Sequence, residues 1–265
     1  MLRQMRHCPS STEICAQILL RMTSQPTAQP LFSLFGGTIP GPPSKKRGKP
    51  NQDYFGSAVN DVGSAVIVAT DGAGSLEKSE VGARLTVETI LDQAVSLSET
   101  EYSPDAILEL AVEQARQQLL AHPDKSELGC TVAAAFVSAH DYAISITGDA
   151  FAVVLGEDDD IALIENEQQG EYANITKLLT SKSTDTAVYY AEGSPQAVAV
   201  SSDGLAHFTI DSRTRVPTDG FWRPVLNKAL DGSLGVESLL RYMESLGQTD
   251  DDTTLTVAAR NRESS

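Results

Sequence analysis

The chain has 265 residues, 41% of them hydrophobic and 21% charged, which suffices for one sizeable globular domain at roughly 100–200 residues per domain. Its net charge is −16, unevenly spread: residues 1–50 carry seven bases (Arg3, Arg6, Arg21, Lys45, Lys46, Arg47, Lys49) against Glu13 alone, and the remainder has 13 basic and 35 acidic residues. A body with a net charge of −22 is unsuited to gripping nucleic-acid backbones and suits cations or basic partners.

In chain order, residues 1–30 read as a poorly ordered extension, rich in Ser, Thr, Gln and Pro with little periodicity. Its apolar run, Ile14 to Leu20, is broken by Gln17, is too short to span a bilayer and lacks a small-residue cleavage site, so a cytoplasmic, membrane-free protein is expected. Residues 31–265 are taken as the folded domain. They open with a Gly/Pro-rich passage, Gly36 to Pro43, and a basic knot, Lys45-Lys46-Arg47-Gly48-Lys49. The knot reads either as a solvated loop or as a source of cations for an anion held near Asp53.

Residues 53–60 and 62–70 read as strands joined by a hairpin at Asn60-Asp61. The second, Val66-Ile67-Val68-Ala69-Thr70, stops abruptly on Asp71-Gly72-Ala73-Gly74-Ser75. A carboxylate at the exit of a rigid strand can hold a metal or a polar substrate, although an ordinary Asp-Gly turn has the same appearance. Apolar spacing predicts a helix from about Glu80 to Leu97. A second helix starts at Ser103-Pro104-Asp105 and ends at Pro123. Strands follow over Cys130–Ser138, Tyr142–Gly148, Phe151–Leu155 and Ile161–Ile164, with the acidic Glu157–Asp160 as a solvated turn. The polar stretch Glu165–Asp185 reads as a loop with one short helix near Ile175–Leu179, and as a candidate substrate-facing flap. A strand over Ala197–Val200 runs into Ser202-Asp203-Gly204. Helices are expected over residues 219–230 and from Ser233 to Leu246, and Asp250-Asp251-Asp252 precedes the last strand.

Asp53, Asp71, Asp203 and Asp252 thus sit at strand edges, with Asp149 a fifth candidate after Thr147-Gly148. Convergent carboxylates on separate strands are how sites for hard divalent ions are built. Three scattered cysteines (Cys8, Cys15, Cys130) and four histidines without a His-x-x-x-His spacing argue against zinc or a disulfide framework.

The order of the motifs is more specific than any one of them. Asn51-Gln52-Asp53, Asp71-Gly72-Ala73-Gly74-Ser75, Gly129-Cys130-Thr131, Thr147-Gly148-Asp149, Ser202-Asp203-Gly204-Leu205 and Asp252-Thr253-Thr254-Leu255 resemble the motifs of metal-dependent type 2C serine/threonine protein phosphatases. Gly170-Glu171-Tyr172-Ala173-Asn174 and Leu179-Thr180-Ser181 look like the bacterial branch. The resemblance spans about residues 45–260. It implies an α+β fold, a four-layer αββα sandwich of two antiparallel sheets flanked by helices on both outer faces. It also implies two Mn2+ or Mg2+ ions with a third, weaker one, and attack on phosphoserine or phosphothreonine by a metal-bridging water. Asp71 would bridge both ions and the Gly72 carbonyl would bind one; Asp203 and Asp252 would hold the other. Asp53 would act directly or through water, and Asp149 would serve the third. Arg47, with Lys49 second, is the candidate for meeting the phosphate, because a guanidinium fork suits phosphate geometry. Gln52 stands where many members carry glutamate, Ala73 replaces a histidine of eukaryotic members, and Gly148-Asp149-Ala150-Phe151 departs from Gly-Asp-Ser-Arg. The implied partners are a phosphoprotein and an opposing Ser/Thr kinase, with a monomer as the default. Two other readings are a pseudophosphatase of the same fold that binds a phosphoprotein or regulator, and an unrelated acidic cation-binding domain.

Overall fold

A computed structural model describes residues 30–166, 176–182 and 185–261. Chain order gives β1 (Phe32–Ile39), α1 (Pro42–Arg47), β2 (Tyr54–Val59), β3 (Ala65–Thr70), α2 (Ser79–Leu97) and α3 (Pro104–Ala121). Then come β4 (Val132–Val137), β5 (Asp141–Thr147), β6 (Phe151–Leu155), β7 (Ile161–Glu165), β8 (Thr186–Glu192) and β9 (Ala197–Ser201). The chain continues through α4 (Ala206–Thr209), α5 (Asp219–Leu230), α6 (Val236–Ser245) and β10 (Thr253–Arg260). Two five-stranded sheets form, in the orders β1-β10-β9-β6-β7 and β2-β3-β4-β5-β8, with every pairing antiparallel. The expected αββα sandwich is the observed fold.

The strands read as continuous apolar runs because both faces of the central ones are covered. In β3, Ala65, Ile67 and Ala69 face the opposing sheet, while Val66 and Val68 pack under α2 and α3 with Val87, Ile90, Leu108 and Ala111. Alanines supply nearly half of the inter-sheet layer, at positions 65, 69, 133, 135, 150, 152 and 258. The third layer packs β6, β9 and β10 against α5 and α6 around Trp222, whose indole N–H donates to the Thr209 carbonyl at 2.9 Å. Burying Trp222 completely removes one of the largest apolar surfaces in the chain from water, and its paired N–H avoids the cost of an unsatisfied donor. Among the described residues no helix is long and apolar enough to cross a membrane.

Several elements depart from the sequence reading. The Gly/Pro-rich passage at residues 36–43, for which no element was expected, supplies the end of β1 and the start of α1, joined by residues 40–41. Gly36 and Gly37 sit within β1 because a Cβ at Gly36 would lie 2.4 Å from the Phe55 ring, and one at Gly37 would lie 2.9 Å from the Glu237 nitrogen. They permit close approach within a strand and do not mark a turn. The basic knot is helical from Pro42, with proline in the first turn and Gly48 closing it at φ +64°. Strand β8, at the edge of its sheet, was hidden in a stretch without clear alternation and pairs with β5 throughout. The expected helix near Ile175–Leu179 is absent over residues 176–178, and a turn forms at Leu179-Thr180. Helix α6 starts at Val236, after Ser233, whose N–H and hydroxyl are held by Asp231. The extension expected over residues 1–30 and the Gly170–Asn174 motif lie outside the described residues, except for Pro30.

Candidate metal centre

All five aspartates sit at strand ends, and the antiparallel registers bring those ends together. Asp53 precedes β2 and Asp71 follows β3, whose terminal residues pair as Tyr54 with Thr70. Asp149 follows β5, turning off it at Gly148 with φ +81°. From the other sheet, Asp203 lies two residues after β9 and Asp252 immediately before β10. Carboxylate oxygens of Asp71, Asp149 and Asp203 lie within 4.8 Å of one another.

Asp53 lies against this group, buried to 3% exposure, with Ser202, Thr254, Asp71 and Asp252 around it. Neither of its carboxylate oxygens makes a well-formed hydrogen bond, although Ser202, Thr254 and the Asp71 carboxyl lie near enough to offset part of the burial cost, and Asp149 Oδ1 is buried and unpartnered. None of the ion pairs among the described residues involves any of the five aspartates. Taking a carboxylate out of water without compensation is costly, and the chain answers by holding protons. Burial, reinforced by the charge of Asp252, pushes Asp53 up to about 7. Burial and the neighbouring Asp149 push Asp203 up to about 7. Burial and the charges of Asp53 and Asp203 hold Asp71 well above the ordinary carboxylate range. All-oxygen donors, packed close, desolvated and without a cation of their own, fit hard divalent ions such as Mg2+ or Mn2+.

Asp252 is held differently. Its two oxygens accept the backbone N–H groups of Gly41 and Gln52, each at 2.7 Å, which ties the start of β10 to the segment before β2. Gly41 is needed there, because a Cβ on it would lie 2.2 Å from the Asp251 carbonyl carbon. Gly72 also sits against backbone: its N–H donates to the Gln52 carbonyl at 3.1 Å, and the Asp71 carbonyl accepts from Thr131 at 2.8 Å. Of the two cations singled out in the sequence, Lys49 reaches the loop after β3, donating to the Gly74 carbonyl at 3.2 Å. Arg47 is exposed at the end of α1. Its charge acts on Asp251, whose pKa is raised by burial and by Asp252 and Asp250, and partly offsets that rise. Cys130 is fully buried 3.3 Å from the Thr86 hydroxyl, and burial pushes its thiol up to about 12.

Sequence reasoning missed Thr176, whose hydroxyl donates to Asp149 Oδ2 at 2.7 Å, and Gly41. Thr176 lies in the polar stretch already singled out; Gly41 had only its Gly-Pro context as a signal.

A family model described as protein phosphatase 2C matches residues 41–244, well over half the chain. No curated protein matches. Among solved structures, the chain resembles the serine/threonine phosphatase Stp1 from Staphylococcus aureus at 18% identity, covering 87% of this chain and 96% of that one with a TM-score of 0.61. It resembles the Mycobacterium tuberculosis serine/threonine phosphatase PstP/Ppp at 18% identity, over 87% and 99% of the two chains, with a TM-score of 0.62. The catalytic domain of PstP in complex with two manganese ions matches at 18% identity over 87% and 99%, with a TM-score of 0.58. At these identities the structures speak for the fold, and the family model speaks for the lineage: the chain belongs to the protein phosphatase 2C family of phosphoprotein phosphatases.

Proposed function

We propose that this protein hydrolyses phosphoserine and phosphothreonine in proteins, using two divalent ions held at the end of the sandwich. The observation that carries the reading is Asp53, with both oxygens buried and without a well-formed hydrogen bond beside the Asp71–Asp149–Asp203 group. A folded chain gains nothing from such a carboxylate unless a cation meets it. In this reading Asp71, the Gly72 carbonyl, Asp203, Asp252 and Asp53 hold the two ions, Mn2+ or Mg2+, and Asp149, oriented by Thr176, serves a third, weaker one. Bound there, the ions supply a water that ionises near neutral pH and positive charge for the phosphoryl oxygens. The residues hold those positions on strand ends, so little reorganisation is needed when substrate arrives.

The substrate's phosphate is met by Lys49 or Arg47. Lys49, beside the Gly74 carbonyl, is already at the loop that carries Asp71 and Gly72; Arg47 stands on the Asp251 side. The partners are a phosphoprotein and the kinase that modifies it, and the protein acts as a monomer in the cytoplasm.

A second reading, a pseudophosphatase that binds phosphoprotein without turnover, draws on Asp252, both of whose oxygens already accept backbone N–H groups. Phosphate release from a phosphothreonyl peptide separates the two. Chelator-stripped protein should be inactive and should recover turnover on adding Mn2+. Peptide binding with no phosphate release at any Mn2+ concentration would favour the pseudophosphatase.

A further inference from the structure

Gln52 is 6% exposed, and its backbone N–H, backbone carbonyl and side-chain Nε2 are each bonded to a different part of the chain. Its N–H donates to Asp252 at 2.7 Å, and its carbonyl accepts the Gly72 N–H at 3.1 Å. Its side-chain Nε2 donates to the Leu76 carbonyl at 3.3 Å and to the Ser79 hydroxyl, at the start of α2. The Leu76 carbonyl can only accept, so the amide nitrogen faces it and Oε1 is turned toward Gly74. One residue therefore spans the aspartate before β10, the glycine after β3, and the loop from Gly72 to Ser79. The space is closed on the other side, because a Cβ on Gly72 would lie 2.7 Å from the Gln52 carbonyl and 2.8 Å from the Ser79 backbone.

We infer that Gln52 is a positioning residue, whose amide donors clamp the Gly72–Ser79 loop and thereby set where Asp71 and the Gly72 carbonyl stand relative to Asp252. It acts through those residues and makes no contact with the reacting atoms. A glutamate of the same shape would place a carboxylate oxygen against the Leu76 carbonyl and could not donate. It would also add another negative charge beside Asp53. The two consequences pull metal affinity in opposite directions, which makes the substitution informative.

The test compares wild type, Gln52→Glu and the neutral, similarly sized Gln52→Met in the full chain. Hydrogen exchange of chelator-stripped protein reads the clamp without metal. Both variants should exchange faster, on the order of tenfold, over residues 72–79, with β9 and β10 unchanged. Manganese titration of aryl phosphate hydrolysis reads the consequence, which rests on the two-metal reading above. Half-saturating Mn2+ should rise about tenfold to a hundredfold in Gln52→Met and by less in Gln52→Glu, whose added charge favours the cation, with KM for the aryl phosphate at saturating Mn2+ unchanged in both. Unchanged loop exchange, or Gln52→Glu requiring less Mn2+ than wild type, would overturn the inference. So would a lower melting temperature with unchanged Mn2+ requirement, since packing alone would explain it. Wild type without manganese-dependent turnover would contradict the phosphatase reading, and the exchange measurement would still decide the clamp.

Discussion

Replacing Asp53 by asparagine should make the metal-free protein more stable while weakening its hold on metal. Moving this carboxyl from 3.8 to about 7 costs the folded state about 4 kcal/mol once the group is ionised, at about 1.4 kcal/mol per tenfold in the proton equilibrium. An asparagine in the same buried position needs partners of its own, which returns about 1–2 kcal/mol and leaves a net gain of about 2–3 kcal/mol. The sign follows from proton binding. Below pH about 4 both folded and unfolded chains hold the proton, and the variant gains nothing. Between pH about 4 and about 7 the unfolded wild type releases its proton while the folded one keeps it, so wild-type stability falls as pH rises. Above about 7 the deficit is constant. Urea denaturation in chelator at pH 5 and pH 8 should therefore show a small advantage for Asp53→Asn at the lower pH and the full one at the higher. Mn2+ at about a thousandfold excess over its Kd should reverse the order, because it stabilises wild type by about 4.1 kcal/mol. If Asp53→Asn is no more stable than wild type in chelator at pH 8, the argument from uncompensated burial is refuted.

Three further outcomes follow from the local geometry. Gly72→Ala should lose about 1–3 kcal/mol in denaturant unfolding and raise the Mn2+ requirement, because the three nearest atoms to its methyl would all be backbone atoms of Gln52 and Ser79. Asp252→Asn should cost about 1–3 kcal/mol even without metal, since its amide would set a donor against the N–H of Gly41 or Gln52; equal stability would contradict those two bonds. Cys130 should resist iodoacetamide in the native protein and react only on unfolding, as read by peptide mapping, because burial keeps its thiol protonated.

The strand-end aspartates were legible because β-branched and alanine-rich runs stop abruptly at them, and buried strands in a covered sandwich read as unbroken apolar runs. Helix α5 matches its expected span of residues 219–230, since its apolar spacing is local information. What escaped notice depends on distant parts of the chain. Gly36 and Gly37 carry no strand signal until Phe55 and α6 are placed beside them. Asp252 looks like another free acid until Gly41, 211 positions away, donates to it. The polar composition of Gln52 gave no sign that four groups from three elements converge on it. Strand β8 was invisible for a related reason: at the edge of its sheet it needs only half a buried face, so its pattern is weak.

The central claim is that the five converging aspartates form a metal centre for phosphoryl hydrolysis. It is tested most directly by para-nitrophenyl phosphate hydrolysis in chelator-stripped protein, with and without Mn2+, beside Asp71→Asn and Asp203→Asn. The exposed-turn variant Asp158→Asn serves as control. Manganese-dependent turnover in wild type and Asp158→Asn, abolished in Asp71→Asn and Asp203→Asn with their folds intact, is the predicted result. Full activity in Asp71→Asn, or turnover indifferent to metal, would contradict it.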